Sequence, residues 1–303
     1  MKDYKNLQSI EKDLLSIPQL IAPKDVSAID VSSIKAYQMC PMQYYYRYIC
    51  GLVRERLNPA TTYGGAFHKA WNIMYQQMKH GQAPEKKTII GEFVKAYPSD
   101  LDETRTIANG SLILDQYIDK FFEEPFEVIA TESGFCIDLG AFDFIGRMDG
   151  VIKWLDRILV LENKTSMRPS AVLKEFEYGI QSIGYAFAAH MLGYDDCQGV
   201  LLNVTAVNMP KTEGAMKRWE TERFTRKIVT VDERQEAQFY YLLNKTIEDV
   251  WNERFFPNLT GCSLYGECEY SSICKHGWEL TKDFYQVEEW NPLSESEPLE
   301  GGI

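Results

Sequence analysis

Apolar and polar positions recur with helical spacing over the first 125 residues of the chain. The predicted helices cover residues 31–49, a segment that begins near 64, and residues 85–122. Ser32 or Ser33 is expected to cap the first of them, and Pro98 should interrupt the last. Residues 1–30 lack this spacing and are expected to form a loosely packed leader.

After residue 125 the hydrophobic period changes to two, which is typical of strands. The predicted elements are strands at 126–138, 142–154 and 158–165, a helix at 179–193, strands at 197–208 and 221–231, and a helix at 232–251. Residues 158–161 are apolar at every position, so this strand belongs in the middle of a covered sheet. The order of elements predicts an α/β or α+β core with helices on its faces.

Composition excludes several classes of protein. The 303 residues are 45% apolar, which is enough to bury the core of one or two domains and excludes a wholly disordered chain. No apolar run approaches the roughly 20 residues of a membrane-spanning helix. The first thirty residues also lack the apolar core of a signal peptide. We therefore expect a cytoplasmic protein.

The net charge of -12 argues at first against a nucleic-acid partner, because phosphate binders usually carry an excess of positive charge. The end of the chain weakens that inference. From Asp283 to Ile303 there are six acidic residues and no Lys or Arg, so this part of an acidic tail at 281–303 holds half of the excess. The net charge therefore does not decide the partner.

Three of the seven cysteines lie close together, with five residues between neighbours: Cys262, Cys268 and Cys274. In a cytosolic chain, thiols are more typical of metal ligands or buried side chains than of disulfides. A four-thiolate site needs one more ligand, and the remaining cysteines are Cys40, Cys50, Cys136 and Cys197. Cys136 and Cys197 lie in apolar, strand-like runs that favour a buried thiol, whereas Cys40 precedes Pro41 in a polar-aromatic segment. The wide spacing favours an iron–sulfur cluster over zinc, and zinc over no metal.

The strand 158–165 ends with Glu162 and Lys164, which point to one face because the side-chain period is two. An acid and an amine at the end of a buried strand are costly unless they meet a metal or each other. Asp149 lies in the preceding strand, within a Gly-Arg-x-Asp-Gly sequence. If the connecting turn is centred on 155–156, Asp149 faces Glu162 across an antiparallel ladder, at roughly 5 Å.

Two carboxylates at this distance can share a divalent cation, and sites rich in oxygen favour magnesium or manganese. Such a cation can polarise a phosphodiester oxygen and lower the pKa of bound water. Lys164, beside it, could orient or deprotonate that water and offset developing charge. The simpler alternative is a surface salt bridge between Glu162 and Lys164, since a Glu-x-Lys triplet occurs by chance in most proteins.

The combination of Asp149 with Glu162-x-Lys164 resembles the catalytic signature of the PD-(D/E)xK nucleases. Two further motifs resemble those of the RecB-like branch of that family. Gly64–His68 is similar to its G-x-x-x-H helix, whose histidine is a metal ligand, and Gln181–Tyr185 is similar to its Q-x-x-x-Y motif. The resemblance covers about residues 30–276, and its strength lies in the order of several motifs that are each weak alone.

The resemblance implies a restriction-endonuclease-like α/β core, in which a mixed central sheet is flanked by helices. The implied metal ligands are His68, Asp149 and Glu162. The implied catalytic residues are Asp149, Glu162, Lys164, Gln181 and Tyr185. The implied organisation is a leader at 1–30, a RecB-like nuclease domain at 31–280 and an acidic tail at 281–303. Within the domain, a helical part at 31–125 precedes a catalytic sheet core at 126–251 and a cysteine loop at 252–280.

Cys40-Pro41 and the three later cysteines resemble the split iron–sulfur site of CRISPR-adaptation nucleases, AddB-type nuclease domains and phage homologues. The implied ligands of a [4Fe–4S] cluster are Cys40, Cys262, Cys268 and Cys274. Such a cluster would join the N-terminal helical region to the C-terminal cysteine loop. The spacing of five residues after Cys262 departs from the two that is common in the CRISPR-associated and AddB members.

These features predict a Mg²⁺- or Mn²⁺-dependent DNA nuclease that acts in recombination, repair, CRISPR adaptation or phage DNA processing. An exonuclease is the preferred prediction. Its setting is the cytoplasm of a bacterial cell or phage-infected host. The substrate is single-stranded DNA or duplex ends, and a separate helicase or recombination protein is a candidate partner. The alternatives are an endonuclease or flap nuclease of the same fold, a noncatalytic DNA-binding or anti-defence protein, and a zinc-stabilised interaction protein.

Overall fold

A computed structural model describes residues 15–54, 58–210, 212–263, 267–291, 293 and 297–298. The helices are α1 (Val31–Met39), α2 (Pro41–Tyr44), α3 (Pro59–Lys79), α4 (Lys86–Ala96), α5 (Ile107–Lys120), α6 (Pro169–Glu177), α7 (Ile180–Met191), α8 (Glu213–Glu222), α9 (Glu233–Trp251) and α10 (Ser271–His276). The strands are β1 (Ala28–Ile29), β2 (Leu52–Arg54), β3 (Glu127–Asp138), β4 (Asp143–Trp154), β5 (Arg157–Ser166), β6 (Cys197–Ala206), β7 (Phe224–Thr230), β8 (Tyr285–Val287) and β9 (Glu297–Pro298). None of the helices in this described part of the chain combines the length and the apolar character needed to cross a bilayer.

The chain folds into two compact units, each discontinuous in sequence. The first unit contains the described residues of 1–56, 138–144 and 240–292. The second unit contains those of 57–137, 145–239 and 293–303. The predicted catalytic residues all belong to the second unit, and the four predicted cluster ligands all belong to the first.

The main sheet has a mixed topology, with the strand order β7-β6-β5-β4-β3-β9. Strands β4 and β5 form an antiparallel hairpin, β5 and β6 run parallel, and β6 and β7 run antiparallel. A parallel pair needs a long crossover connection, and α6 and α7 lie in the one between β5 and β6. At one edge, β9 pairs in parallel with Ser133 and Gly134 of β3.

The two faces of the central strands are covered by different helices. Leu161 of β5 and Leu201 of β6 belong to an apolar core that also contains the buried sides of α3, α4 and α5. On the opposite face, Leu202 packs with Phe176 of α6. Glu162 is the register partner of Leu202, so its side chain and that of the residue two positions later share this second face.

The predicted α/β architecture, a mixed sheet flanked by helices, is confirmed. The strands predicted at 126–138, 142–154 and 158–165 are present with ends shifted by one residue. Helix α6 was not predicted, although Pro169 at its first position is a helix-start signal. The strand predicted from residue 221 begins only at Phe224, because α8 continues through the preceding residues.

The first helix differs from the prediction at both ends. Its N-cap is Asp30 rather than Ser32 or Ser33, because the Asp30 side chain accepts the Ser33 backbone N–H at 2.7 Å. The Ser33 hydroxyl in turn accepts the Asp30 backbone N–H at 3.0 Å, which completes a capping box. The helix predicted to run to residue 49 is interrupted after Met39, because the residue before a proline avoids the helical conformation; helical backbone resumes at Pro41 and continues to Ile49, its last turn as a π-helix. Cys40 therefore lies at a break, with extended backbone.

The start of the chain also differs from the prediction. Within residues 15–30, which were expected to pack loosely, Ile17, Val26 and Ile29 are buried. Strand β1 pairs in parallel with the first two residues of β4. Residues 1–14 of the predicted leader and most of the acidic tail after residue 291 lie outside the described residues.

Candidate functional site

The hairpin of β4 and β5 brings Asp149 beside the end of β5. Residues 150–154 pair with residues 157–161, which confirms the register predicted from a turn at 155–156. Immediately before these pairs, Oδ2 of Asp149 accepts the backbone N–H of Asn163 at 2.6 Å. The predicted juxtaposition of Asp149 with the Glu-x-Lys segment is therefore present.

Glu162 is buried and is held by two donors. Its Oε1 atom lies 2.5 Å from Nζ of Lys164, and the side chains are 2% and 30% exposed, respectively. Nε2 of Gln181 donates to the same oxygen at 2.7 Å and lies 3.3 Å from the hydroxyl of Tyr185. Gln181 and Tyr185 stand one turn apart on α7, so one face of this helix covers the end of β5. The structure thus brings four of the predicted site residues together.

The remaining oxygen of Asp149 faces α3. Nδ1 of His68 lies 3.1 Å from Oδ1 of Asp149. Glu132 of β3 completes the group, because His68, Glu132 and Asp149 each offer one ligand atom within 4.8 Å of the others. Oε2 of Glu132 also pairs with Nε of Arg147 at 3.1 Å. Glu162, predicted as the third metal ligand, does not belong to this group of described residues, and its role stays a prediction.

Burial and neighbouring charges shift the three carboxyl groups differently. Burial raises the pKa of Glu132 to about 7, and the negative charge of Asp149 adds to the rise. Burial alone would raise the pKa of Asp149, but His68 and Lys164 hold that pKa below its ordinary value. Burial raises the pKa of Glu162 by more than Lys164 lowers it. The site therefore favours an ionised Asp149 beside acids that accept protons more readily.

Glu132 is the site residue that the sequence predictions missed. It lies within β3 with a φ of 43°, a left-handed conformation that is uncommon for a residue other than glycine. Such backbone strain costs on the order of 1–3 kcal/mol and is concentrated at functional sites. The only signal in the sequence was a lone acid inside a predicted strand, which does not distinguish a ligand from a surface side chain.

The donor atoms of His68, Glu132 and Asp149 fit a divalent cation. Carboxylate oxygens suit magnesium and manganese, and manganese also accepts an imidazole nitrogen. Two carboxylates held this close repel each other, which adds to the effect of burial on the pKa of Glu132, and a cation between them would remove that repulsion. The geometry and the charge distribution therefore suit the same occupant.

The four predicted cluster ligands line one cavity of the first unit: Cys40, Cys262, Cys268 and Cys274. Asn258 connects the cysteine loop to Cys40, because its backbone N–H donates to Sγ of Cys40 at 3.3 Å. The other cysteines do not line it. Cys50 and Cys197 are buried, and Cys136, expected to be buried as well, is exposed. The expectation for Cys136 is therefore wrong, because its position on β3 faces outward.

Comparison with known families gives the superfamily of the chain. The family model of the PD-(D/E)XK nuclease superfamily matches residues 28–275, which is most of the chain. The chain belongs to the PD-(D/E)XK nuclease superfamily. Nucleases of this superfamily use divalent metal ions, and their substrates are nucleic acids. The family assignment thus agrees with the acidic site at the end of β5.

Two solved structures are similar to the chain at low identity. One, from Eubacterium rectale, carries the name "Putative exonuclease"; it is 11% identical, with a TM-score of 0.46, over 91% of this chain and 92% of that one. The other, named SSO0001, is 14% identical, with a TM-score of 0.30, over 88% of this chain and 96% of that one. No curated protein matches the chain. The superfamily assignment rests on the family model.

The raised pKa of Glu132 predicts how this site affects stability in the absence of metal. The carboxyl group is neutral in the folded protein up to about pH 7 but ionises from about pH 4.5 in the unfolded chain. The contribution of Glu132 to the free energy of unfolding is therefore fully present below pH 4.5 and is lost as the pH rises through 7. The loss amounts to up to about 3 kcal/mol. Glu132→Gln should remove this loss. We expect the variant to melt at a higher temperature than the wild-type protein at pH 8 with a chelator.

The matched comparison is the same pair of proteins at pH 5, where Glu132 is protonated in the folded wild type and the difference should be small. Added manganese should stabilise the wild type more than Glu132→Gln, because the variant lacks one carboxylate of the group. An equal gain in the two proteins would show that Glu132 is not a metal ligand.

Proposed function

We propose that this protein is a metal-dependent DNA exonuclease of the RecB-like branch. One observation carries the proposal: His68, Glu132 and Asp149 converge within 4.8 Å beside the Glu162–Lys164 pair, at the end of a buried strand. A surface salt bridge, the simpler interpretation of Glu-x-Lys, does not account for that convergence. Glu162 is 2% exposed and is also bonded to Gln181, so the pair is not a solvated one.

The chain contributes binding, orientation and charge to phosphodiester hydrolysis. A divalent cation held by His68, Glu132 and Asp149 would polarise a phosphate oxygen and acidify bound water. Lys164 is the positive group beside this site, and its contact with Glu162 keeps the ammonium at the end of β5. Glu162 and Asp149 raise the pKa of Lys164 against the effect of burial, so the side chain carries its charge and can offset charge developing on the phosphate.

Gln181 and Tyr185 have a supporting role in this proposal. Gln181 donates to Glu162 and leaves the carboxylate with a defined orientation toward β4. The Tyr185 ring packs edge-on against Phe135 of β3, with 6.4 Å between centroids. This contact holds Tyr185 in place beside Gln181. Replacement of either residue should therefore affect catalysis through the position of Glu162.

The test of this function is incubation of anaerobically purified protein with three DNA substrates, linear, circular and branched, in magnesium or manganese. An exonuclease should degrade end-labelled linear DNA and leave covalently closed circular DNA intact. Cleavage of the circle would show an endonuclease, and cleavage confined to branched substrates would show a flap nuclease. No cleavage of any substrate by the folded, metal-loaded protein would favour a noncatalytic DNA-binding or anti-defence protein.

A [4Fe–4S] cluster in the first unit is the second part of the proposal. Its support is that Cys40, at the break after α1, lines the same cavity as the three cysteines near the C-terminus. Four thiolates are the ordinary ligand set of such a cluster. Hydrolysis needs no electron transfer, so the cluster would have a structural role. Zinc in this site is the alternative that metal analysis separates.

A further inference from the structure

A row of three polar side chains crosses the mainly apolar face of the sheet that α3, α4 and α5 cover. Asn163 of β5 is the direct register partner of Asn203 of β6, and Asn203 is the direct partner of Arg226 of β7. Nδ2 of Asn203 donates to Oδ1 of Asn163 at 2.8 Å. Nε of Arg226 donates to Oδ1 of Asn203 at 3.2 Å. The two asparagines are 2% and 0% exposed, so the row is shielded from water.

The far end of the row is closed by an ion pair. The guanidinium of Arg226 makes two bonds of 2.6 Å to the carboxylate of Glu124, whose side chain is 2% exposed. Tyr117 joins the row from α5, because its hydroxyl accepts from Asn203 at 2.6 Å. Bidentate contacts of this kind between charged groups are geometrically specific as well as strong. The row is therefore anchored at one end to a group that cannot shift without loss of both bonds.

The near end of the row is Asn163, the residue between Glu162 and Lys164. Its side chain joins the row, whereas its backbone N–H, which points along the sheet toward β4, donates to Oδ2 of Asp149 at 2.6 Å. Oδ1 of Asp149 faces His68, so each oxygen of this carboxylate has a partner. The row is thus connected to the proposed metal ligand Asp149 through a single backbone amide, that of Asn163.

We propose that Asn203, through Asn163, is a positioning residue that fixes the orientation of the Asp149 carboxylate. This inference rests on the proposed function, since it assigns Asp149 to the metal site. A slip of one residue between β5 and β6 would turn Glu162 and Lys164 to the wrong face of the sheet. Such a slip would also separate the Asn163 side chain from its buried partner Asn203, which makes it costly. The row therefore specifies the register that the site requires.

The test compares Mn²⁺ binding by metal-free protein, measured by calorimetry or by electron paramagnetic resonance of the free ion. Asn203→Leu should weaken Mn²⁺ binding by roughly 10–100-fold, the range observed when a residue that orients a metal ligand is removed. The matched control is Thr205→Val, two positions along β6 on the same face. Thr205 is fully buried, and its hydroxyl has no hydrogen-bond partner among the described residues, so this variant should bind Mn²⁺ as the wild type does.

A second variant separates positioning from a loss of stability. Asn163→Leu combined with Asn203→Leu removes both partners of one bond and should recover part of the thermal stability that Asn203→Leu loses. If the row positions Asp149, Mn²⁺ binding stays weak in this double variant. If the row is only structural, Mn²⁺ binding returns together with stability, and the inference is overturned.

Wild-type Mn²⁺ affinity in folded Asn203→Leu would also overturn the inference that Asn203 positions Asp149. If Asn203→Leu does not fold, Asn203→Asp replaces it, because the carboxylate keeps an acceptor for Arg226 but loses the donor to Asn163. Failure of the proposed function has a different signature: Asp149→Asn would then bind Mn²⁺ as tightly as the wild-type protein.

Discussion

Asp149→Ala, Glu162→Ala and Lys164→Ala should each lower DNA cleavage by at least about 10²–10³-fold, the usual effect of removing one preorganised electrostatic group. The reasons differ between the three. Asp149 is the carboxylate that both His68 and the Asn163 amide orient, so its loss disassembles the metal-binding group. Glu162 is the carboxylate on which Lys164 and Gln181 converge, so its loss frees both donors.

Lys164→Ala distinguishes the chemical role of the ammonium from metal binding. Asp149→Ala should weaken Mn²⁺ binding, and Glu162→Ala should do so if Glu162 is a ligand as predicted. Lys164→Ala should retain Mn²⁺ binding but lose turnover, since the ammonium contributes charge rather than a ligand atom. Lys153→Ala is the matched control, because Lys153 lies on β4 of the same hairpin and is exposed. Wild-type turnover in Lys164→Ala would show that the end of β5 is not the catalytic centre.

Replacing any one of the four cavity cysteines should release iron and remove the brown colour of the anaerobically purified protein. Those residues are Cys40, Cys262, Cys268 and Cys274. Cys40 precedes Cys262 by 222 residues, so the proposed cluster would close a very long loop. A cross-link over such a loop restricts the unfolded chain by about 5 kcal/mol in the chain-entropy model. The melting temperature should fall by roughly 10 °C or more.

The three remaining cysteines are controls that span the range of burial. Cys50→Ala and Cys197→Ala remove buried thiols, and Cys136→Ala removes an exposed one, yet all three should retain iron. Iron and sulfide analysis of the seven variants decides the ligand set. Retained iron in Cys40→Ala would exclude Cys40 as a ligand. Zinc in place of iron in the wild-type protein would replace the cluster with a structural zinc site.

Local patterns in the sequence were sufficient to predict much of the catalytic hairpin. Alternating or continuous apolar positions mark three strand-like runs within residues 126–165, so the ends of β3, β4 and β5 were predicted to within one residue. A short turn allows few registers, which is why the position of Asp149 beside the Glu-x-Lys segment could also be predicted. Helix boundaries were less predictable, because capping depends on single residues: Asp30 and Asn58, rather than Ser32 or the Gly64–Gly65 pair, begin α1 and α3.

The sequence by itself therefore determined the α/β class, the strands and the residues that resemble nuclease motifs, because each depends on neighbours in the chain. The tertiary structure alone decided which of them meet. Glu132 joins His68 and Asp149 from a position of β3 with positive φ, and no local pattern encodes that conformation. The row that ends at Asn163 likewise depends on register between strands about 40 residues apart, which is set by packing of the whole sheet rather than by a turn.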